Sequence, residues 1–186
     1  TGLAKTLEKL KKVAVDCNKE YSEKFNINQS TAITCVKPSG TVSQLVDSAS
    51  GIHARHNPYY IRTVRGDKKD PLTEFLKASG IPSEDDKMKP DHTTVFSFPM
   101  MAPKGSVCRT DMTAIQQLEM WKIYAKHWCE HKPSVTISVK EDEWVPVGAW
   151  CWENFDHLSG VSFLPFADHT YTQAPYQDID EKTYKE

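Results

Sequence analysis

The run Thr31-Ala32-Ile33-Thr34-Cys35-Val36 is short, apolar and β-branched, and it breaks at Lys37-Pro38-Ser39-Gly40-Thr41 before helical spacing resumes over Val42–Val46. A buried strand, a tight loop and a short helix in that order commit the chain to a mixed α/β packing. The alternation recurs along the sequence. Leu3, Leu7, Leu10, Ala14, Cys17 and Tyr21 fall at steps of three or four among lysines and glutamates, which predicts an amphipathic helix. Strand-like runs follow at Tyr59–Arg65, at Thr93–Phe98 ended by Pro99, at Ser134–Val139 and at Val161–Leu164. Asp70-Pro71 reads as a cap and first-turn proline, with Gly80 closing that helix. Pro82–Pro90 is charged and loop-like. A long helix is expected over Thr113–His131, and a tryptophan-rich one over Trp144–Phe155 with Pro146 tolerated in its first turn. Strands alternating with helices predict a parallel α/β sheet or barrel.

The chain has 186 residues, 39% hydrophobic and 26% charged, which suits one packed domain and excludes a disordered or low-complexity chain. Its apolar runs are too short to span a membrane. A net charge of −2 gives no basic field to draw nucleic acid or anionic lipid, so neither is expected as a partner. The five cysteines contain no C-x-x-C pair, so reduced thiols in a cytoplasmic compartment are expected. No initiator Met is present, the first helix has no strand before it, and Asp180–Glu186 stops inside a starting helix. A complete eight-fold barrel takes about 250 residues. The chain is therefore expected to be a fragment or one half of a split protein, 1–186 forming a single incomplete domain.

Lys37-Pro38-Ser39-Gly40-Thr41-Val42-Ser43 is the strongest local signal for chemistry. Gly40 lets backbone approach a ligand or adopt a positive φ, the helix start offers N–H groups, and Ser39, Thr41 and Ser43 add hydroxyls, so a phosphate could be held by neutral groups. An ordinary capped turn accounts for the same residues. There is no G-x-x-x-x-G-K-[ST] motif. His127 and His131 are spaced to share a helix face and could bind a metal, but no third ligand is evident and a solvated helix end is the preferred reading. His53 and His56 lie in a loop, open to surface or ligand-contact roles. Cys151 and Glu153 stand two apart on a helix and diverge, so Cys151 reads as a core thiol. The five tryptophans read as core aromatics.

Taken in order, the segments Thr31–Val46, Ser50–His53, Pro58–Arg65, Lys132–Thr136, Glu143-Trp144, Gly148–Trp150, Gly160–Pro165, Asp168–Tyr171 and Gln173–Tyr176 resemble the adenosylcobalamin-dependent (class II) ribonucleotide reductases, collinearly over nearly the whole chain. The resemblance implies a partial ten-stranded α/β barrel, about half of it present here, as the carboxy-terminal half of the reductase catalytic barrel. It implies an oxidoreductase that converts ribonucleotides to 2′-deoxyribonucleotides by thiyl-radical chemistry for DNA synthesis. Pro38, Ser39, Gly40, Thr41, Val42 and Ser43 would bind the substrate phosphates. Adenosylcobalamin would be the radical source, and the partners would be the ribonucleotide, the rest of the polypeptide and a thioredoxin-type reductant. The family's radical cysteine lies in an N-x-C-x-E motif, which is missing here. No residue of this chain is therefore expected to be catalytic, and the chain alone is expected to be inactive. A non-catalytic phosphate-binding module or a structural α/β fragment are the alternatives.

Overall fold

The computed structural model describes residues 2–40, 42–166 and 172–186. Thr41 and Asp168–Tyr171, named above, lie outside the described residues. The chain divides into two compact units, Thr1–Ala54 with Asp111–Phe166 and Arg55–Thr110 with Ala167–Glu186.

The first unit contains α1 (Gly2–Phe25), α2 (Val42–Leu45), α4 (Ala114–His127), β4 (Val135–Val139), α5 (Trp144–Glu153) and β5 (Val161–Pro165). A β4–α5–β5 crossover makes one parallel pair, in register from Val135↔Val161 to Val139↔Pro165. Val135, Ile137 and Val139 alternate inward along β4 and meet Ala114, Leu118 and Trp121 of α4 and Val147 and Trp150 of α5. Trp121, Leu118 and Ile137 are fully buried, and side chains of that kind contribute about 1.5–3 kcal/mol each on burial. α4 starts on a reciprocal cap in which Thr113 Oγ1 accepts from Gln116 N–H and Gln116 Oε1 accepts from Thr113 N–H. The Glu143 carboxylate accepts from Ala114 N–H at the same helix start, where the helix dipole favours an anion.

Two expectations fail here. α4 ends at His127, not His131, because Glu130 N–H and His131 N–H turn away to donate to Thr34 O at 2.8 and 3.4 Å. Thr31–Val36 is not a strand. Its consecutive Ile33 and Thr34 N–H groups both donate to Glu130 Oε2, at 2.9 and 3.2 Å. A strand points successive N–H groups to opposite sides, so one carboxylate serving both rules out a ladder. The segment is an extended strap beside residues 128–134.

The second unit contains β1 (Tyr59–Asp67), α3 (Pro71–Ala78), β2 (Ser83–Asp85), β3 (Thr93–Met101), β6 (Tyr176–Asp178) and α6 (Glu181–Lys185). Its sheet has the order β2-β3-β1-β6 and is antiparallel throughout. Asp70 caps α3 by accepting from Leu72 N–H, with Pro71 in the first turn and Gly80 at φ +79° beyond the end, as the sequence predicts. Pro99 does not end β3. Ser97 N–H donates outward to Pro82 O, so the nitrogen of Pro99, two residues on, faces the same side beyond the last β2 pairing and no ladder bond is lost. The expected loop Pro82–Pro90 contains β2, and the polar tail contains β6. Among the described strands the parallel arrangement predicted from the alternation is thus met at β4–α5–β5, and these are small sheets.

Candidate functional site

The loop Lys37–Ser43 is fixed mainly by its own hydroxyls. Ser39 N–H donates to Ser50 Oγ at 2.9 Å, and Ser50 Oγ donates back to Ser39 O at 2.8 Å. Ser39 Oγ accepts from Ser43 N–H at 2.9 Å, which caps the short α2. The returning turn is closed by Gly51 at φ +61°, where an added Cβ would stand 2.9 Å from Lys37 O. Only glycine fits that close approach of backbone to backbone.

His53 braces the turn from below. Its Nδ1–H donates to Ser50 O at 2.7 Å and its Nε2 accepts from Thr136 N–H at 2.9 Å, a pairing that assigns the neutral Nδ1–H tautomer. The loop is thereby tied to β4. Lys37 has a different job. Its Nζ donates to Lys132 O at 2.7 Å and Ser134 Oγ at 2.9 Å, securing the strap to the start of β4.

Pro38, Ser39, Gly40, Val42 and Ser43 therefore come together on one loop, and Thr41 lies outside the described residues. Val42 is exposed, whereas Ser43 is buried. The Ser43 hydroxyl has no hydrogen-bond partner among the described residues, a state that is costly unless a ligand or water satisfies it. Gly40 has open space around its Cβ position and no positive φ, so its value at the site is room for a ligand, not backbone strain. The sequence reading missed the roles of Gly51, Ser50 and His53. Their signal was the Ser-Gly turn spaced one short helix after Ser39.

The other candidates separate. His127 Nδ1 pairs with Glu8 Oε1 at 2.7 Å, and His131 lies past the helix end. No group of three or more His, Cys, Asp or Glu suited to a metal occurs among the described residues. Burial pushes the Cys151 thiol up, in keeping with its packing against the first unit's core, and Glu153 is exposed. His56 belongs to the second unit. It stacks on Tyr176 with ring centroids 5.1 Å apart, and its Nε2 lies 2.7 Å from Asp178 Oδ1.

No protein-family model matches the chain. It is 29% identical over 187 residues to the adenosylcobalamin-dependent ribonucleoside-triphosphate reductase of Lactobacillus gasseri, covering 98% of this chain and 25% of that protein. The reductase of the same name from Euglena gracilis is 32% identical over 173 residues, covering 92% of this chain and 24% of its own length. A crystal structure of a B12-dependent (class II) ribonucleotide reductase matches with a TM-score of 0.83 at 28% identity, over 98% of this chain and 26% of the other. The chain is a homologue of part of a class II ribonucleotide reductase. The family resemblance carried by the Thr31–Val46 segment and its successors is borne out. The relatives of that family are named as adenosylcobalamin-dependent ribonucleoside-triphosphate reductases, and the chain spans about a quarter of their length.

Proposed function

We propose that residues 1–186 are one incomplete domain, the carboxy-terminal half of the catalytic α/β barrel of an adenosylcobalamin-dependent ribonucleotide reductase. The assembled enzyme converts ribonucleoside triphosphates to 2′-deoxyribonucleotides for DNA synthesis by thiyl-radical chemistry in the cytoplasm. This chain supplies the loop that holds the substrate phosphates. The rest of the polypeptide brings the catalytic cysteines, a thioredoxin-type reductant restores them, and the chain alone is inactive. The observation that carries this reading is the likeness to the class II structure over 98% of the chain.

The loop's chemistry supports the phosphate role. Ser39 and Ser50 hold the backbone in place before any ligand arrives, and such preorganisation lowers the cost of binding. Ser39 Oγ takes the Ser43 N–H at the start of α2, and Ser43 adds a buried hydroxyl with no hydrogen-bond partner among the described residues. Lys37, occupied with Lys132 O and Ser134 Oγ, stays out of the contact.

Adenosylcobalamin supplies the radical when bound. Its binding rests mainly with the complete enzyme.

The test is reassembly. The chain is combined with the remaining polypeptide, adenosylcobalamin, a dithiol and a ribonucleoside triphosphate, and deoxyribonucleotide is measured. Product is expected only when both pieces are present. Turnover by the chain alone contradicts the reading. Nucleotide binding without any turnover by the pair favours a non-catalytic phosphate-binding module.

A further inference from the structure

Two thiols far apart in sequence meet where the strap runs past the end of α4. Glu130 N–H donates to Thr34 O at 2.8 Å and Ser134 N–H donates to Val36 O at 3.3 Å, so Cys35 sits between two backbone contacts to residues 130–134. Trp128 Nε1–H donates to Cys35 O at 3.1 Å on the same segment. The Cys35 sulfur lies 3.6 Å from His131 O and 3.5 Å from Lys132 O, which aims it at the turn that follows Cys129. Cys129 completes the pair, its sulfur lying against the Cys35 thiol and Val36 N–H. The backbone contacts on either side of Cys35 hold the strap against the segment that carries Cys129. Both thiols are free and half-buried, so both are within reach of a small oxidant.

We propose that Cys35 and Cys129 are a redox clip, forming a reversible disulfide that fastens the strap leading into the Ser39–Ser43 loop to the end of α4. The oxidant is a small-molecule disulfide of the glutathione type. The Cys35 thiolate attacks one sulfur of that disulfide, forming a mixed disulfide and expelling the first glutathione thiolate. The Cys129 thiolate then attacks the Cys35 sulfur, closing the protein disulfide and expelling the second. Two protein thiols are oxidised, one glutathione disulfide is reduced to two thiols, and the two protein protons end on them.

Burial and the neighbouring Cys35 push the Cys129 thiol up, while the Lys11 ammonium of α1 works against that shift. Cys129 is therefore the weaker first attacker and the natural resolving thiol, acting once the mixed disulfide stands beside it. The inference does not depend on the reductase reading, because it uses only the strap and the end of α4.

The full chain is treated with glutathione disulfide, quenched with an alkylating agent and digested without reduction for mass spectrometry. A cross-linked peptide joining Cys35 to Cys129 is expected, cleaved by dithiothreitol, and forming at least tenfold faster in the native chain than in guanidinium chloride. The native thermal midpoint should rise on oxidation. Cys129→Ser should leave glutathione on Cys35, and Cys35→Ser should abolish the cross-link. A lasting glutathione adduct on Cys35 of the native wild-type chain, with Cys129 free, overturns the proposal. So does a pairing pattern that is the same in native and denatured chains, a comparison that needs no variant to fold.

Discussion

The two units complete their sheets by different means. In the second, backbone answers backbone: β3 pairs with β1 along its whole length, β6 covers part of β1, and Thr63 N–H reaches Pro175 O just past β6. In the first, β4 pairs with β5 and, among the described residues, with no other strand. On the other side Thr136 N–H donates to His53 Nε2, while Gln117 accepts from Ser138 N–H at 3.2 Å and donates to Ser138 O at 3.3 Å. Glu130 does the same for the strap. A ladder shares its load over many equivalent bonds, whereas a side chain capping an edge is a single point of failure. The first unit should therefore be the more sensitive to single substitutions in its loops, and His53 is one such point, tying the candidate site to Thr136 of β4.

The sharpest way to break this contrast uses two glycines of positive φ. At Gly51 a Cβ would meet Lys37 O at 2.9 Å, whereas at Gly80 in the second unit nothing lies within 4 Å. Left-handed strain costs about 1–3 kcal/mol, and crowding against fixed backbone about as much again. Gly51→Ala should thus cost about 2–6 kcal/mol in denaturant unfolding, and Gly80→Ala about 1–3 kcal/mol from strain alone. Equal losses at the two positions would mean that the strap is soft and the turn tolerant.

His53→Ala comes next. It strands Thr136 N–H and Ser50 O, and an unsatisfied buried group costs about 1–3 kcal/mol. Amide exchange at Thr136 should accelerate, with the antiparallel sheet of β1 and β3 unchanged. Unaltered protection at Thr136 would show that some other group holds the edge of β4.

The smallest effect expected is acidic. The Ile33 N–H, with Thr34 N–H assisting, holds the Glu130 carboxyl below the usual glutamate range. In the second unit Arg65, followed by the Met88 N–H, holds Asp86 below the usual aspartate range. A depressed folded-state pKa means stability fully present above the unfolded value and lost as pH falls through the folded one. Glu130→Gln should therefore flatten the acid loss of strap protection by lowering that protection near neutral pH towards its acid level. An acid transition at the strap that persists in Glu130→Gln assigns it elsewhere.

Local chemistry with its own period or punctuation was legible in the sequence. The α1 helix, the Asp70-Pro71 start, the Thr113 start of α4 and the β4 strand all appear where the residues place them. What was misread depends on partners distant in sequence. Thr31–Val36 has strand composition, but Glu130, about a hundred residues on, takes its amides. Tyr176–Asp178 is too short to show a period and becomes a strand only against Tyr60–Arg62. The direction of pairing is also non-local, so the antiparallel second sheet could not be read from an alternation of strands and helices. At the site, Ser39 and Gly40 announce themselves, while Gly51 and His53 matter through contacts that only folding creates.

The central claim is that the Ser39–Ser43 loop holds phosphate through its backbone and hydroxyl groups. The measurement that addresses it most directly is nucleoside triphosphate affinity of the reassembled protein carrying Gly40→Val or Lys37→Ala, with circular dichroism as the folding control. A Cβ at Gly40 has nothing within 4 Å among the described residues beyond its chain neighbours, so the effect of a side chain there should fall on the ligand. Charge-assisted hydrogen bonds are worth about 1.5–3 kcal/mol each, so displacing two should weaken binding by about two to four powers of ten. Lys37→Ala should do less, because its ammonium is spent on Lys132 O and Ser134 Oγ. If Gly40→Val binds as the wild type does and Lys37→Ala loses affinity with its fold intact, the phosphate is held by a point charge and the account of the loop is contradicted.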